Sequence, residues 1–553
     1  MIKQLTRIAI FIFTTSLAVA GQLKISRELE NLDPNSTVDV IVQFTEAPTE
    51  RHHQKVLSQG GMLRSSLELV KAGAYSVPAG SIGLLANDPE VVHISPNRKV
   101  NGMLDLTSEA VNASTAWRSG WTGKGIAVAV IDSGISNHPD LDNRIVYKQD
   151  FVGGGTDDRF GHGEHVAGII AGSGKSSSCP NCTRTLKGIA PAATLLDLRV
   201  LDQNGSGKDS SVIAAIQQAI RLKGRYNIRV INLSLGRPVY ESYKQDPLCQ
   251  AVEAAWRAGI VVVVAAGNSG RDNSQGTDGY ATIAAPGNDP YVITVGAMKT
   301  MGTADRQDDR IASYSSKGPT LIDHIVKPDI VAPGNRVVSL LADTSDLTQA
   351  YPQNIVPLSY YENTSATTSS TTYFTLSGTS MATPVVSGAV ADLLQAQPSL
   401  TPDQVKAKLM LTAYKTFPSS SIVTDPVTGA VYVSQYDIFT VGAGYLDIQA
   451  ALNDHNIAAG RALSPAVSYD STSGYVYLAT DPSAIWDTRA VWGARAVWGA
   501  SEVDATRAVW GTQAVWGASS LDGFRAVWGT RAVWGTTTTN ATESTSLSVT
   551  GEN

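Results

Sequence analysis

Between residues 123 and 453 the chain repeats one pattern, and that pattern restricts the fold more than any other feature. Apolar runs alternate with stretches of helical periodicity. Ile126–Ile131, Thr194–Val200, Arg229–Ser234, Ile260–Ala265 and Tyr291–Val295 read as strands; Val212–Leu222 and Pro247–Ala258 read as helices. A strand covered on one side alternates apolar with polar residues. These runs are nearly continuous, so both of their faces must be covered. The expectation is an α/β fold, a parallel sheet with helices on both faces. In such sheets chemistry sits beyond the carboxyl ends of the strands.

Three polar residues stand at strand ends or helix starts of this region. Asp132 closes Val128-Ala-Val-Ile-Asp132, His162 lies in Gly161-His-Gly-Glu-His, and Ser380 lies in Ser377-Gly-Thr-Ser-Met-Ala-Thr-Pro384. Taken singly, each has a plain structural reading as a turn former or a helix cap. Together they supply a nucleophile, a base to take its proton, and a carboxylate to orient the base. Pro384 is expected in the first turn of the helix that Ser380 opens.

The motifs themselves are specific. Val-Ile-Asp-Ser-Gly-Ile at 130–135, His-Gly-Glu-His-Val-Ala-Gly at 162–168 and Gly-Thr-Ser-Met-Ala-Thr-Pro at 378–384 resemble the three signature segments of subtilisin-like serine proteases. The resemblance runs from about Ala116 to Leu452. It implies a secreted endopeptidase acting on proteins or peptides, with Asp132, His162 and Ser380 as catalytic residues. Ala265-Ala266-Gly267-Asn268 resembles the oxyanion segment, with Asn268 as donor. Gly205-Ser206-Gly207 and Ser234-Leu235-Gly236 resemble the two edges that clamp an extended substrate; Ala265, Ala266 and Gly267 join them as substrate-binding residues. No cofactor is implied as a requirement. Calcium is the one metal the resemblance brings in: Asp140 matches a ligand, while residues 172–188, where the main calcium loop belongs, carry no recognisable ligand set.

Some positions depart from the family pattern. Glu164 replaces a usual Thr beside His162, with a consequence expected for the local electrostatics. Arg237 replaces a frequent Gly and is expected at the substrate groove. Residues 342–375 form a Ser/Thr-rich insertion expected as a surface loop. Cys179, Cys182 and Cys249 leave one thiol over, with a local Cys179–Cys182 bridge and a bridge to Cys249 both open. His162-Gly-Glu164 with Cys179-Pro-Asn-Cys182 also suggests a rival class, a zinc deaminase. A non-catalytic adhesin on a protease scaffold is a second rival.

Outside the core, residues 1–20 read as a signal peptide: Lys3 and Arg7, a short apolar run, then Ala18-Val19-Ala20. Residues 21–105 include a small α+β domain, with a strand at Val38–Phe44, and resemble an inhibitory propeptide, the protein's own partner. The catalytic domain spans 106–453. Residues 454–482 form a linker or small β segment, and 483–553 a repeat tail. In the tail, Arg/Gln-Ala-Val-Trp-Gly occurs six times with an 18-residue period. These tryptophan rows are expected to bind glycans or the cell envelope, and hydrolysis is expected not to need them. A formal net charge of −6 speaks against a general nucleic-acid binder.

Overall fold

The computed structural model describes residues 24–26, 29, 32–97, 103–364, 368–425, 428–470, 475–479 and 551–552. The expected signal peptide and the tryptophan repeats lie outside the described residues. The chain divides into two compact units, Met1–Val100 and Asn101–Asn553.

The first unit holds a four-stranded antiparallel sheet in the order β2-β3-β1-β4. Its strands are β1 (Thr37–Phe44), β2 (Met62–Leu67), β3 (Ala72–Pro78) and β4 (Val91–Pro96). Two helices, α1 (Glu50–Ser58) and α2 (Ile82–Ala86), complete it. In β1 the buried residues are Val40, Val42 and Phe44, at period two, so one face packs and the other is only partly covered. They meet Val56, Tyr75, Leu85 and Ile94 in one core.

The second unit is built on an eight-stranded sheet in the order β11-β10-β9-β8-β5-β7-β6, with β12 also paired to β10. Its strands are β5 (Ala127–Asp132), β6 (Ile145–Asp150), β7 (Thr194–Arg199), β8 (Ile228–Leu233), β9 (Val261–Ala265), β10 (Ile293–Lys299), β11 (Arg310–Ile311) and β12 (Ile330–Pro333). All pairings are parallel except β10 with β11. Every residue of β5 and β9 is buried, which explains the unbroken apolar runs.

Helices α3 (His162–Ala171) and α6 (Thr379–Ala396) pack on each other, and α6 also packs on β8, β9, β10 and β12. Helices α4 (Asp209–Tyr226) and α5 (Pro247–Arg257) form a second packed pair against the sheet. Residues Met381–Leu394 of α6 are all buried, as suits a helix apolar on every side. Pro384 falls six residues into this helix rather than in its first turn. A proline there removes one ladder hydrogen bond, and the active site uses the carbonyl so released.

The 342–375 insertion is not simply a surface loop. Strand β15 (Ser369–Leu376) pairs antiparallel with both β13 (Val337–Leu340) and β14 (Ile355–Pro357). Tyr373 and Phe374 of β15 are buried in the main core. The alternation Tyr-Phe-Thr-Leu was hidden among Ser and Thr, which read equally well as loop. Strands β16 (Ser420–Thr424) and β17 (Val431–Gln435) form a hairpin; so do β18 (Ala466–Asp470) and β19 (Tyr475–Ala479). The second hairpin is held to the catalytic unit by backbone bonds from Val326 to Pro465 and from Val467 to His324, both 2.8 Å.

Candidate active site

Asp132 is the last residue of β5, and His162 is the first of α3. The His162 Nδ1–H donates to Asp132 Oδ1 at 2.7 Å, leaving Nε2 as the basic nitrogen. Burial opposes charge on the ring, but attraction to Asp132 and its hydrogen bond win, so His162 sits above the ordinary histidine value. Asp132 Oδ1 also accepts the Ser133 backbone N–H at 2.8 Å, which fixes the carboxylate.

A second carboxylate, unremarked in the sequence, organises the start of α3. Asp158 accepts from the Gly161 and Glu164 backbone N–H groups, each at 2.7 Å, and from Ser133 Oγ at 2.8 Å. It satisfies the exposed amides of the helix end, as a capping acid does. Burial pushes its carboxyl up to about 6, against the pull of those donors. Glu164 is fully buried, and burial with Asp158 nearby raises its carboxyl well above the usual range. Both influences favour the protonated acid over the carboxylate. The expected electrostatic effect of Glu164 on His162 is correspondingly reduced, because a neutral acid carries no field of a full charge.

The turn that carries Ser380 is tied down on both sides. Gly378 has φ +138°, and a Cβ there would lie 3.2 Å from Asn268 Nδ2. Asn268 Oδ1 accepts from Thr379 N at 2.9 Å and Thr379 Oγ1 at 3.1 Å, which orients the carboxamide beside Ser380. Pro384 has no N–H for the Ser380 carbonyl, and Ser234 Oγ donates to that carbonyl instead, at 2.8 Å. Ser387 Oγ donates to Asn232 Oδ1 at 2.8 Å, and Asn232 Nδ2 donates to Ser234 Oγ at 3.0 Å, extending the support. The Ser380 hydroxyl itself donates to the Ser234 carbonyl at 3.0 Å. Thus the structure joins Asp132 to His162 and Asn268 to the turn that carries Ser380, while the Ser380 proton rests on Ser234. Ser234, Thr379 and Asp158 were not foreseen in these roles; the Pro384 spacing was the available signal for Ser234.

The nominated substrate edges differ in how their backbone is used. Ser206, Gly207 and Gly236 are exposed, and Gly205 and Leu235 are half-buried, on loops following β7 and β8. The Ala265–Gly267 backbone is largely spent within the fold. Ala265 is in register with Val295, the Ala266 carbonyl accepts from Ala284, and the Gly267 carbonyl accepts from Ser316. Ala265 and Ala266 are buried and Gly267 is half-buried, so this segment presents little surface as well as few free strand-type hydrogen bonds. Arg237 is also redirected. Its guanidinium pairs with Asp209 and Asp246 at the starts of α4 and α5, so it is committed to joining two helices.

The calcium expectation at Asp140 does not fit the donors around it. Oδ1 accepts from Ser176 N at 2.7 Å and Oδ2 from Tyr373 Oη at 2.8 Å, while the Arg144 guanidinium donates to the Asp140 carbonyl. A calcium site needs several converging oxygens. Here hydrogen-bond donors and a cation converge instead, and β15 of the insertion supplies one of them. Cys179 and Cys182 form a disulfide, and Cys249 is free and buried. The open pairing is thereby decided, and the zinc-deaminase reading loses the thiolates it required.

The structure thus has a histidine–aspartate pair at a strand end, and a serine at a helix start held next to an amide, on one parallel α/β sheet. Residues 123–444 match the Subtilase family, and the chain belongs to it. The chain is 39% identical over 397 residues to serine protease AprX of Bacillus subtilis (strain 168), covering 68% of this chain and 83% of that protein. It is 32% identical over 379 residues to subtilisin E of the same organism, covering 67% and 83%. To an alkaline protease of Shouchella clausii it is 32% identical over 410 residues, covering 72% and 90%. The protein is a subtilisin-like serine protease.

Proposed function

We propose that the protein is a secreted serine endopeptidase made as an inhibited precursor, using Asp132, His162 and Ser380 as its triad. The observation that carries this reading is the 2.7 Å bond from His162 Nδ1 to Asp132, which leaves Nε2 as the base. Ser380 Oγ turns from the Ser234 carbonyl to His162 Nε2, passes its proton there and attacks the substrate carbonyl. Asp132 stabilises the imidazolium that results. The oxyanion is held by the Asn268 amide and the Ser380 backbone N–H. In subtilisin, loss of the side-chain donor lowers turnover about 10²–10³-fold. His162 then returns the proton to the leaving amine, and water repeats the sequence on the acyl-enzyme. An extended substrate lies between the 205–207 and 234–236 segments.

The α+β unit within residues 21–105 acts as the inhibitory propeptide, removed by the enzyme itself. Residues 1–20 act as a secretion signal. Among the described residues no helix is long and apolar enough to cross a membrane. Ser380→Ala is expected to abolish casein hydrolysis and phenylmethylsulfonyl fluoride labelling, and to accumulate with the 21–105 segment attached. Substantial residual hydrolysis by that variant would overturn the triad. An N-terminus near residue 105 in the same variant, made without other proteases, would overturn self-cleavage alone.

A further inference from the structure

Hydrolysis was expected not to need the repeat tail; Gly551 and Glu552, near its end, are nonetheless packed into the catalytic unit. Glu552 is 4% exposed. Its Oε1 accepts from Arg271 Nη2 at 2.9 Å and from Ser313 N at 3.0 Å, and Ser313 Oγ donates to the same atom. Its Oε2 pairs with Lys299 Nζ at 3.0 Å, and Lys299 lies at the end of β10, 4% exposed. The backbone is read as well. Asn335 Nδ2 donates to the Glu552 carbonyl at 3.0 Å, and Glu552 N–H donates to Asn335 Oδ1 at 2.9 Å. Burial works against the charge on Glu552, but Lys299, Ser313 and Arg271 hold its carboxyl below the usual range.

The groove also selects the preceding residue. Gly551 has φ +76°, and a Cβ there would come within 2.4 Å of Ser377 Oγ and 2.8 Å of Arg336 Cγ. Only glycine fits both the angle and the space. The receptor side is arranged around its own contacts. Arg271 donates to Asp425 at 2.8 Å and to Ser313 Oγ at 2.6 Å, and its guanidinium lies 4.4 Å from the Tyr432 ring centroid. Ser377 Oγ accepts from Arg336 N and stands next to Gly378 of the turn that carries Ser380.

We propose that Arg271, Lys299, Ser313 and Asn335 form a receptor for a Gly-Glu peptide segment, filled in cis by Gly551–Glu552. The chain is then held on both sides of residues 480–550, by the β18–β19 hairpin before them and by the receptor after them. A cut within the repeats would leave the distal piece bound by this contact.

The test uses the full-length chain with Ser380→Ala, which prevents self-digestion, and a labelled peptide, Ser-Leu-Ser-Val-Thr-Gly-Glu-Asn, with an amidated end. The parent chain should not bind it, because its own segment competes at an effective concentration on the order of millimolar. Adding Glu552→Ala should open the site and give saturable binding. A peptide with Gln in place of Glu should bind at least tenfold more weakly, and so should one with Ala in place of Gly. Equal binding to parent and variant would overturn the proposal. So would no binding to a variant that melts as one folded unit, or equal binding of the Gln peptide. Should Glu552→Ala fail to fold, Glu552→Gln, which keeps the side-chain shape, replaces it with the same outcomes.

Discussion

Two buried carboxylates of the catalytic unit, Asp132 and Asp329, sit in ion pairs that differ in their access to solvent. Asp329 is sealed on every side. Its Oδ2 accepts from Lys327 at 2.7 Å and from Thr294 N at 2.8 Å, and its Oδ1 from Ser464 at 2.5 Å, with Lys406 3.2 Å away. Burial opposes its charge, and the two lysines hold it below the ordinary carboxylate range. None of these three charged side chains reaches solvent, each being 0% exposed. Asp132 is just as buried, at 1%, but its partner His162 keeps 15% of its side chain exposed. One ion pair is closed on itself and can only stabilise. The other joins its charge to a ring that keeps part of its surface in solvent.

The sharpest break in this comparison is to neutralise each carboxylate in turn. Asp132→Asn should leave the fold intact and lower kcat by about 10⁴, the size of effect known for a triad amide that holds the wrong tautomer. Asp329→Asn should do the reverse. Two buried cations lose their counter-charge, and thermal or urea unfolding should report a loss of about 3–5 kcal/mol. Activity per folded molecule should be kept. A folded Asp329→Asn variant with a triad-sized loss of kcat would erase the distinction.

A second measurement reads the pair through pH. The general base must be neutral, and His162 titrates above the ordinary histidine value because Asp132 outweighs burial. Hence kcat/KM should fall as pH drops through that raised value, with its acid limb above about 6.5. An acid limb at or below that value would mean that Asp132 does not set the base.

Acid should also act on the Glu552 contact. Its folded carboxyl lies below the ordinary value, so its stabilising contribution is present above that value and is lost as pH falls through the folded one. The labelled peptide should therefore leave the opened receptor on acidification below about pH 4. Binding that strengthens in this range would contradict a carboxylate ligand. The smallest effect belongs to Glu164. Glu164→Gln mimics the protonated acid that burial favours, so the acid limb should move by less than about half a pH unit. A larger move would show that Glu164 is ionised beside His162.

Much of this molecule was legible in the chain. The unbroken apolar runs announced a sheet covered on both faces, because residue types report directly on whether a strand sees water. The places of Asp132 at a strand end and of His162 and Ser380 at helix starts were legible, because short motifs at such ends carry their own turn chemistry. What tertiary structure alone decided depends on partners far apart in sequence. Asp140 became a hydrogen-bond acceptor because β15 delivers Tyr373 across 233 positions. Arg237 became a tie between two helices because Asp209 and Asp246 lie at their starts. Glu552, one acid in a Ser/Thr-rich stretch, looks like a solvated charge until Arg271 meets it across 281 positions. Local patterns specify which elements form and where they end. Strand register and helix packing decide which distant side chains meet, and that meeting alone turns a charge into a buried anchor.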